Sequence, residues 1–370
     1  MQSNHADTTG TKTSQSTLPV PAVPALSPSW SDKVAAVAEV RRAVESVRRE
    51  VHKSIVGQDS VVEQAILAIL CGGHAIVEGV PGLAKTLLVS SLARTLSLGF
   101  SRVQFTPDLM PSDMTGTEVI QEDKATGART LRFVKGPIFS NIVLADEINR
   151  TPPKTQSALL EAMQERQVTV NGVQYRLPNP FFVLATQNPI EQEGTYPLPE
   201  AQLDRFMLNI RVSYPSEAEE LEIVSRTTST GLEEPQPILT GEDIVRMQAL
   251  VREMPVADHV MRHAIRIVRA TRVREEGEAL KVCRDYLEWG AGPRASQFLV
   301  LAAKARALLE GATHVTVDHV HAIALPVMRH RIVTNFNAEA DGVKADDVVG
   351  LILDSVRADG SSRALDAVTR

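Results

Sequence analysis

Apolar residues recur along this chain in two rhythms. Val37, Val40, Val44, Val47 and Val51 fall three and four positions apart, which predicts a helix with one buried face, N-capped by Ser31. Val62, Ala65, Ile66 and Ile69 mark a second helical face that stops at Gly72-Gly73. Elsewhere the chain shows short, largely apolar stretches, at 75–77, 102–105, 142–145, 181–185 and 207–212. Continuous apolar strands separated by helices predict a parallel sheet covered on both faces, with ligands gathered at the strands' carboxyl ends. Residues 167–177 instead alternate Val168, Val170, Val173 and Tyr175 around Asn171-Gly172, a strong hairpin signal. The last third reads as helical. Ser216 with Glu219 forms a capping box for a helix to about Arg226, Pro235 and Pro237 mark a linker, and Thr240 caps the next helix.

This pattern divides the chain into a disordered tail at 1–31, an αβα core at 32–213, a linker at 214–239 and a helical domain at 240–370. The tail is rich in Ser, Thr, Pro, Ala and Gln and carries almost no charge, so it buries too little surface to offset ordering. With 370 residues, 43% of them hydrophobic and 23% charged, the chain can bury sizeable cores in two or three domains. A formal charge of −6 argues against direct nucleic-acid binding through a broad positive field. Cys71 and Cys283 stand far apart with no C-x-x-C partner, so both read as buried thiols of a reducing cytoplasm. No run approaches the roughly 18 apolar residues of a membrane span, and no signal pattern opens the chain, so the expected location is cytoplasmic.

The chemistry centres on Gly79-Val80-Pro81-Gly82-Leu83-Ala84-Lys85-Thr86, between the first apolar run and a helical pattern. A strand turning through glycines into a helix aims backbone N–H groups and the positive end of the helix dipole at one point, where polyphosphate binds. Lys85 supplies a point charge for the β- and γ-phosphates, and Thr86 a hydroxyl for Mg²⁺. Ala84 occupies the place of the pattern's second glycine, which puts in question a positive φ or a close phosphate approach there.

The rest of the expected site lies downstream. The run 142–145 ends in Asp146-Glu147; since strand neighbours point to opposite sides, Asp146 is expected to face Mg²⁺ and Glu147 a water. Asn188, after the next strand, offers an amide to γ-phosphate and water; its alternative is a turn residue before Pro189. Arg205 lies too far along the sheet to serve its own nucleotide and reads either as a finger for a neighbour's γ-phosphate or as a surface ion pair with Asp204 or Glu200. Arg294, in the first turn of the helix that Pro293 opens, opposes the helix dipole, which a phosphate or a surface carboxylate would compensate. Ile55-Val56-Gly57-Gln58 is either an adenine contact, through Gly57 and Gln58, or a plain loop. His259, His263, His314, His319 and His321 have no matched carboxylate or Cys and read as solvated helix faces rather than a metal site.

These segments together resemble the MoxR family of AAA+ ATPases over about 32–350. The resemblance rests on GVPGLAKT at 79–86, LADEINR at 144–150, ALLEAMQE at 158–165, ATQNP at 185–189, YPLPEAQLDRF at 196–206 and GPRAS at 292–296. It implies an α/β P-loop NTPase core, a parallel sheet sandwiched by helices, followed by an all-α lid. It implies ATP and Mg²⁺ held by Lys85, Thr86 and Asp146, water activated by Glu147, and sensors at Asn188 and Arg294. It implies that Arg205 is an arginine finger given to the adjoining subunit of a homo-oligomeric ring, usually a hexamer. Such rings act as chaperone-like motors on protein clients, often ones with von Willebrand factor A domains. Residues 108–135 look like the family's helix-two insertion, and the 167–177 hairpin like the one facing the ring's interior. A chelatase ATPase subunit and a nucleotide-switched scaffold are the alternatives. The scaffold has no need of Glu147 or Arg205.

Overall fold

The computed structural model describes residues 26, 32–122, 129–188, 194–229, 233–275 and 279–368, with side chains to 356. The expected tail therefore lies outside the described residues except for Leu26. That residue is buried, its N–H donating to Asp243 (3.3 Å) and its carbonyl accepting from Arg246 (3.0 Å).

Five parallel strands, β1 (Ala75–Glu78), β2 (Phe100–Gln104), β5 (Ile142–Asp146), β8 (Phe182–Gln187) and β9 (Leu208–Arg211), form a sheet in the order β2-β5-β8-β1-β9. The unbroken apolar runs follow from burial on both faces. Ile142 and Leu144 of β5 join one core cluster while Val143 and Ala145 join the other, and Phe182 and Leu184 part from Val183 and Ala185 on β8 in the same way. Helices α1 (Lys33–Val51), α2 (Asp59–Cys71) and α3 (Lys85–Thr95) supply the first cluster, with Val37, Val40, Val44, Val47 and Val51 all buried. Asp32, not Ser31, caps α1, accepting from the N–H groups of Val34 (2.9 Å) and Ala35 (3.3 Å); Ser31 lies outside the described residues.

The insertion between phosphate loop and acidic strand holds a short helix, α4 (Pro111–Thr115), and an antiparallel pair, β3 (Gly116–Glu122) and β4 (Arg129–Lys135); of its expected tip, Glu122-Asp123-Lys124, all but Glu122 lies outside the described residues. After α5 (Pro153–Glu165) comes the expected hairpin, β6 (Gln167–Val170) and β7 (Val173–Arg176), whose turn residues Asn171 (φ 50°) and Gly172 (φ 82°) are both left-handed. The two hairpins meet: Asn171 Nδ2 donates to Glu118 (2.8 Å), and Phe133 stacks on Tyr175 with centroids 4.0 Å apart.

Beyond α6 (Glu200–Leu203) and α7 (Glu217–Thr227) the chain is mainly helical: α8 (Gly241–Glu253), α9 (Asp258–Arg269), α10 (Lys281–Tyr286), α11 (Pro293–Glu310), α12 (Val317–Ala322), α13 (Ala324–Met328), α14 (Phe336–Asp341) and α15 (Ala345–Val368). The small residues Ala295, Ala302, Ala303, Ala305 and Ala307 let α11 pack at the centre, against α1 and α2 as well as α8 and α9. One apolar cluster thus runs from the sheet into the lid. The expectation of solvated histidines holds for His259 and His314, which are exposed, and fails for the other three. His263, His319 and His321 are buried, His263 and His321 with their Nε2 atoms 2.7 Å apart, and His319 caps α12 while reaching Glu310 at 3.0 Å.

Candidate functional site

The strand β1 ends at Glu78, and the chain turns through 79–84 before α3 begins at Lys85. Gly79 is needed for packing, since a Cβ there would lie 3.0 Å from both the carbonyl oxygen and Cβ of Val212. Ala84 adopts φ 51°, ψ 25°, so this alanine does take the left-handed conformation, at a cost of roughly 1–2 kcal/mol relative to glycine. Residues Pro81 to Thr86 line a cavity of about 460 Å³, within the usual range for small-molecule sites. Gly79 and Val80 lie outside its lining. The unpaired N–H groups at the start of an eleven-residue helix favour an anion there. Lys85 is partly buried, with Nζ donating to the Gly79 carbonyl at 2.5 Å. Burial pulls its pKa down, and the nearby charges of Asp146 and Glu147 oppose that shift.

Parallel pairing of β5 with β8 brings Asp146, Glu147, Thr186 and Asn188 to the same cavity. The expectation that Asp146 and Glu147 face opposite ways is corrected. Glu147 leaves the strand at φ 57°, ψ 49°, and this left-handed turn puts both carboxylates on the cavity. Thr186 holds the turn: its hydroxyl donates to Asp146 Oδ1 (2.6 Å) and accepts from the Glu147 N–H (2.9 Å). The other Asp146 oxygen is paired with Arg102, 2.6 Å from NH2 and 3.0 Å from Nε. Glu147 accepts from Gln104 Nε2 at 2.8 Å and lies 3.2 Å from Arg150 Nε. Asn188 is 7% exposed and lines the cavity.

Sequence reading passed over Thr186, Arg102 and Gln104 as site residues. For the last two the available signal was a cation and an amide two positions apart, alternating with Val103 and Phe105.

Gly57, Gln58, Arg205 and Arg294 also lie outside the cavity lining. Gln58 does touch the loop, Nε2 donating to the Leu83 carbonyl at 3.3 Å, while Gly57 is covered by the Glu219 side chain. Arg294 is held not at the phosphate loop but by Asp204 Oδ2, at 3.0 Å. The Arg205 backbone N–H donates to the Gln202 carbonyl (3.1 Å), while its side chain, next to Asp204, makes no hydrogen bond or ion pair among the described residues.

The donor set fits nucleotide-held Mg²⁺. Thr86 and Asp146 provide hard oxygen ligands, and among the described residues no three His, Cys, Asp or Glu side chains form a metal cage. Magnesium is typically bound in this way, through one or two protein oxygens plus substrate phosphates.

Comparison with known proteins agrees with this geometry. Residues 74–208 match the model of the ATPase family associated with various cellular activities (AAA), and 279–351 match the AAA lid domain. The chain is 43% identical over 307 residues to Chaperone MoxR1 of Mycobacterium tuberculosis, covering 83% of this chain and 80% of that one. It is 30% identical over 311 residues to Protein MoxR of Methylorubrum extorquens, covering 79% and 88%. A crystal structure from Cytophaga hutchinsonii, described as a candidate ATPase, superposes with TM-score 0.79 at 42% identity over 87% of this chain and 95% of that one.

Proposed function

The chain belongs to the MoxR family of AAA+ ATPases, and from that premise we propose that it hydrolyses ATP in a ring of identical subunits. The ring would be a hexamer in the cytoplasm, acting as a chaperone-like motor that matures or activates protein clients, including ones with von Willebrand factor A domains. A relative named as a chaperone supports the protein-client reading.

The loop 79–86 and Lys85 take the polyphosphate, and the Gly57-Gln58 turn, bonded to the loop through Gln58, takes the adenine end. Thr86 and Asp146 would hold Mg²⁺, which when bound neutralises charge on the transferred phosphoryl group. Glu147 accepts the proton of the attacking water as its oxygen bonds to the γ-phosphorus and the bond to ADP breaks, while Asn188 orients that water. Before this, Gln104 must release Glu147 and Arg102 must release Asp146. Arg205 of a neighbour supplies a guanidinium to the developing charge, and Arg294, tied to Asp204 beside it, serves from the same edge.

One observation carries this reading: Thr186 fixes both carboxylates on the phosphate cavity while the Arg205 guanidinium lies off that cavity without a partner among the described residues. Loss of an arginine finger costs about 10³–10⁵ in rate. Arg205→Ala and Glu147→Gln are therefore each expected to bind ATP without hydrolysing it, and to regain partial activity when mixed. Normal turnover by Arg205→Ala, or a rate per molecule unchanged down to monomeric dilution, refutes the reading.

A further inference from the structure

After α13 the chain runs Arg329-His330-Arg331, and all three residues turn toward the core rather than solvent. The Arg331 side chain is 1% exposed. Burying a guanidinium costs several kcal/mol unless its donors are satisfied, and an apolar contact would join lid to core without that cost.

All five donors of Arg331 are used, four of them on one short stretch of core. Its Nε donates to Asp204 Oδ1 (2.8 Å), NH2 to the carbonyls of Asp204 (3.0 Å) and Phe206 (2.5 Å), and NH1 to that of Met207 (3.2 Å). The fifth goes to the Val327 carbonyl, and the guanidinium lies over Phe298 at 5.0 Å. His330 donates from Nε2 to the Phe206 carbonyl (3.0 Å), its pKa held well below the usual range chiefly by burial, so the ring is neutral. Arg329 donates to the Asn209 carbonyl (3.3 Å) and pairs with Asp346 (3.2 Å).

The stretch so gripped, 204–209, is the one that carries Arg205. Asp204 also receives Arg294 through its second carboxylate oxygen. One carboxylate therefore joins Arg294, Arg331 and the backbone of Arg205.

We infer that Arg331 is the positioning residue for Arg205: by gripping Asp204 and the carbonyls on either side, it sets the direction of that guanidinium and ties it to the lid. The inference rests on the reading that Arg205 serves a neighbour's site. It implies that the lid does not rock independently of Arg205; the two move as one body. A lysine at 331 keeps the charge but not the planar five-donor fork.

The test is complementation in mixed rings. Arg331→Lys is expected to keep its ATP affinity and to lose hydrolysis by about a hundredfold, the scale for a catalytic group misplaced by about 1 Å. Mixing it with Glu147→Gln should restore hydrolysis, because the Glu147→Gln subunit lends a correctly held Arg205 to the intact pocket of its neighbour. A merely structural defect would not be rescued in this way. Should Arg331→Lys fail to fold, Asp204→Asn, on a partly exposed side chain, takes its place with the same expectation. Mixing Arg205→Ala with Glu147→Gln is the control. No rescue in the control overturns the reading of Arg205 itself. Rescue in the control with none for the folded Arg331 or Asp204 variant, or wild-type hydrolysis by that variant alone, overturns the inference.

Discussion

Replacing Thr186 with valine removes one hydroxyl and nothing of its shape, on a side chain 1% exposed. Two bonds are lost, one to the Asp146 carboxylate at 2.6 Å and one from the Glu147 N–H at 2.9 Å. A hydrogen bond to a charged group contributes about 1.5–3 kcal/mol, and an unsatisfied buried N–H costs about 1–3 kcal/mol. Since Asp146 keeps Arg102, the two losses do not add fully, and about 2–3 kcal/mol is expected. For a chain of 370 residues that lowers Tm by about 3–4 °C. The functional effect is larger. The Glu147 φ of 57° is an unfavourable conformation held by that N–H bond. Once released, the peptide relaxes toward negative φ, gains roughly 1–2 kcal/mol, and swings the carboxylate off the cavity. The phosphate loop is untouched, so ATP affinity should stay within a few-fold of wild type while kcat falls by about a hundredfold. Thr186→Ser restores the hydroxyl and should recover most of both losses. Equilibrium ATP binding, steady-state hydrolysis and thermal unfolding of the three proteins decide the matter. Wild-type kcat and Tm in Thr186→Val, or equal damage from serine and valine, would refute the reasoning.

Arg102→Met keeps the aliphatic stem but frees Asp146 of a half-exposed ion pair worth about 1 kcal/mol. Mn²⁺ titrated against protein with a non-hydrolysable ATP analogue, followed by paramagnetic resonance, should therefore saturate at about fivefold lower metal; a shift to higher metal would count against competition at Asp146. His74 sits between the Met163 carbonyl (3.1 Å) and the Val183 N–H (3.0 Å), held neutral by burial, which lowers its pKa from 6.5 to about 4. Because the unfolded chain takes up this proton first, the stability present above pH 6.5 declines as pH falls toward 4, by about 3 kcal/mol from this residue. Urea denaturation at several pH values should show that slope, and His74→Gln should flatten it.

Much of the fold was legible because its cause is local. Runs such as 142–145 are apolar at every position since both sheet faces are covered, and Asn171-Gly172 announced a hairpin because few other pairs accept two left-handed φ values. Lys85, Thr86, Asp146, Glu147 and Asn188 were legible because each follows a strand end that a parallel sheet brings to one edge. The direction of Glu147 was not, because alternation along a strand stops where the strand does. Nor was the burial of His263 and His321, which lie 58 residues apart and meet only when α9 packs on α12.

The sequence by itself determined which residues are candidates to bind and cleave a nucleotide, since loop chemistry, helix caps and apolar runs act over a few neighbouring positions. Tertiary structure alone decided what those residues hold. The partners of Asp146 come from β2 and β8, some forty residues away on either side, and those of Asp204 lie 90 and 127 residues on. Hydrogen bonds act over about 3 Å of space. Their range along the chain is set by how strands and helices pack, and local spacing carries no record of it.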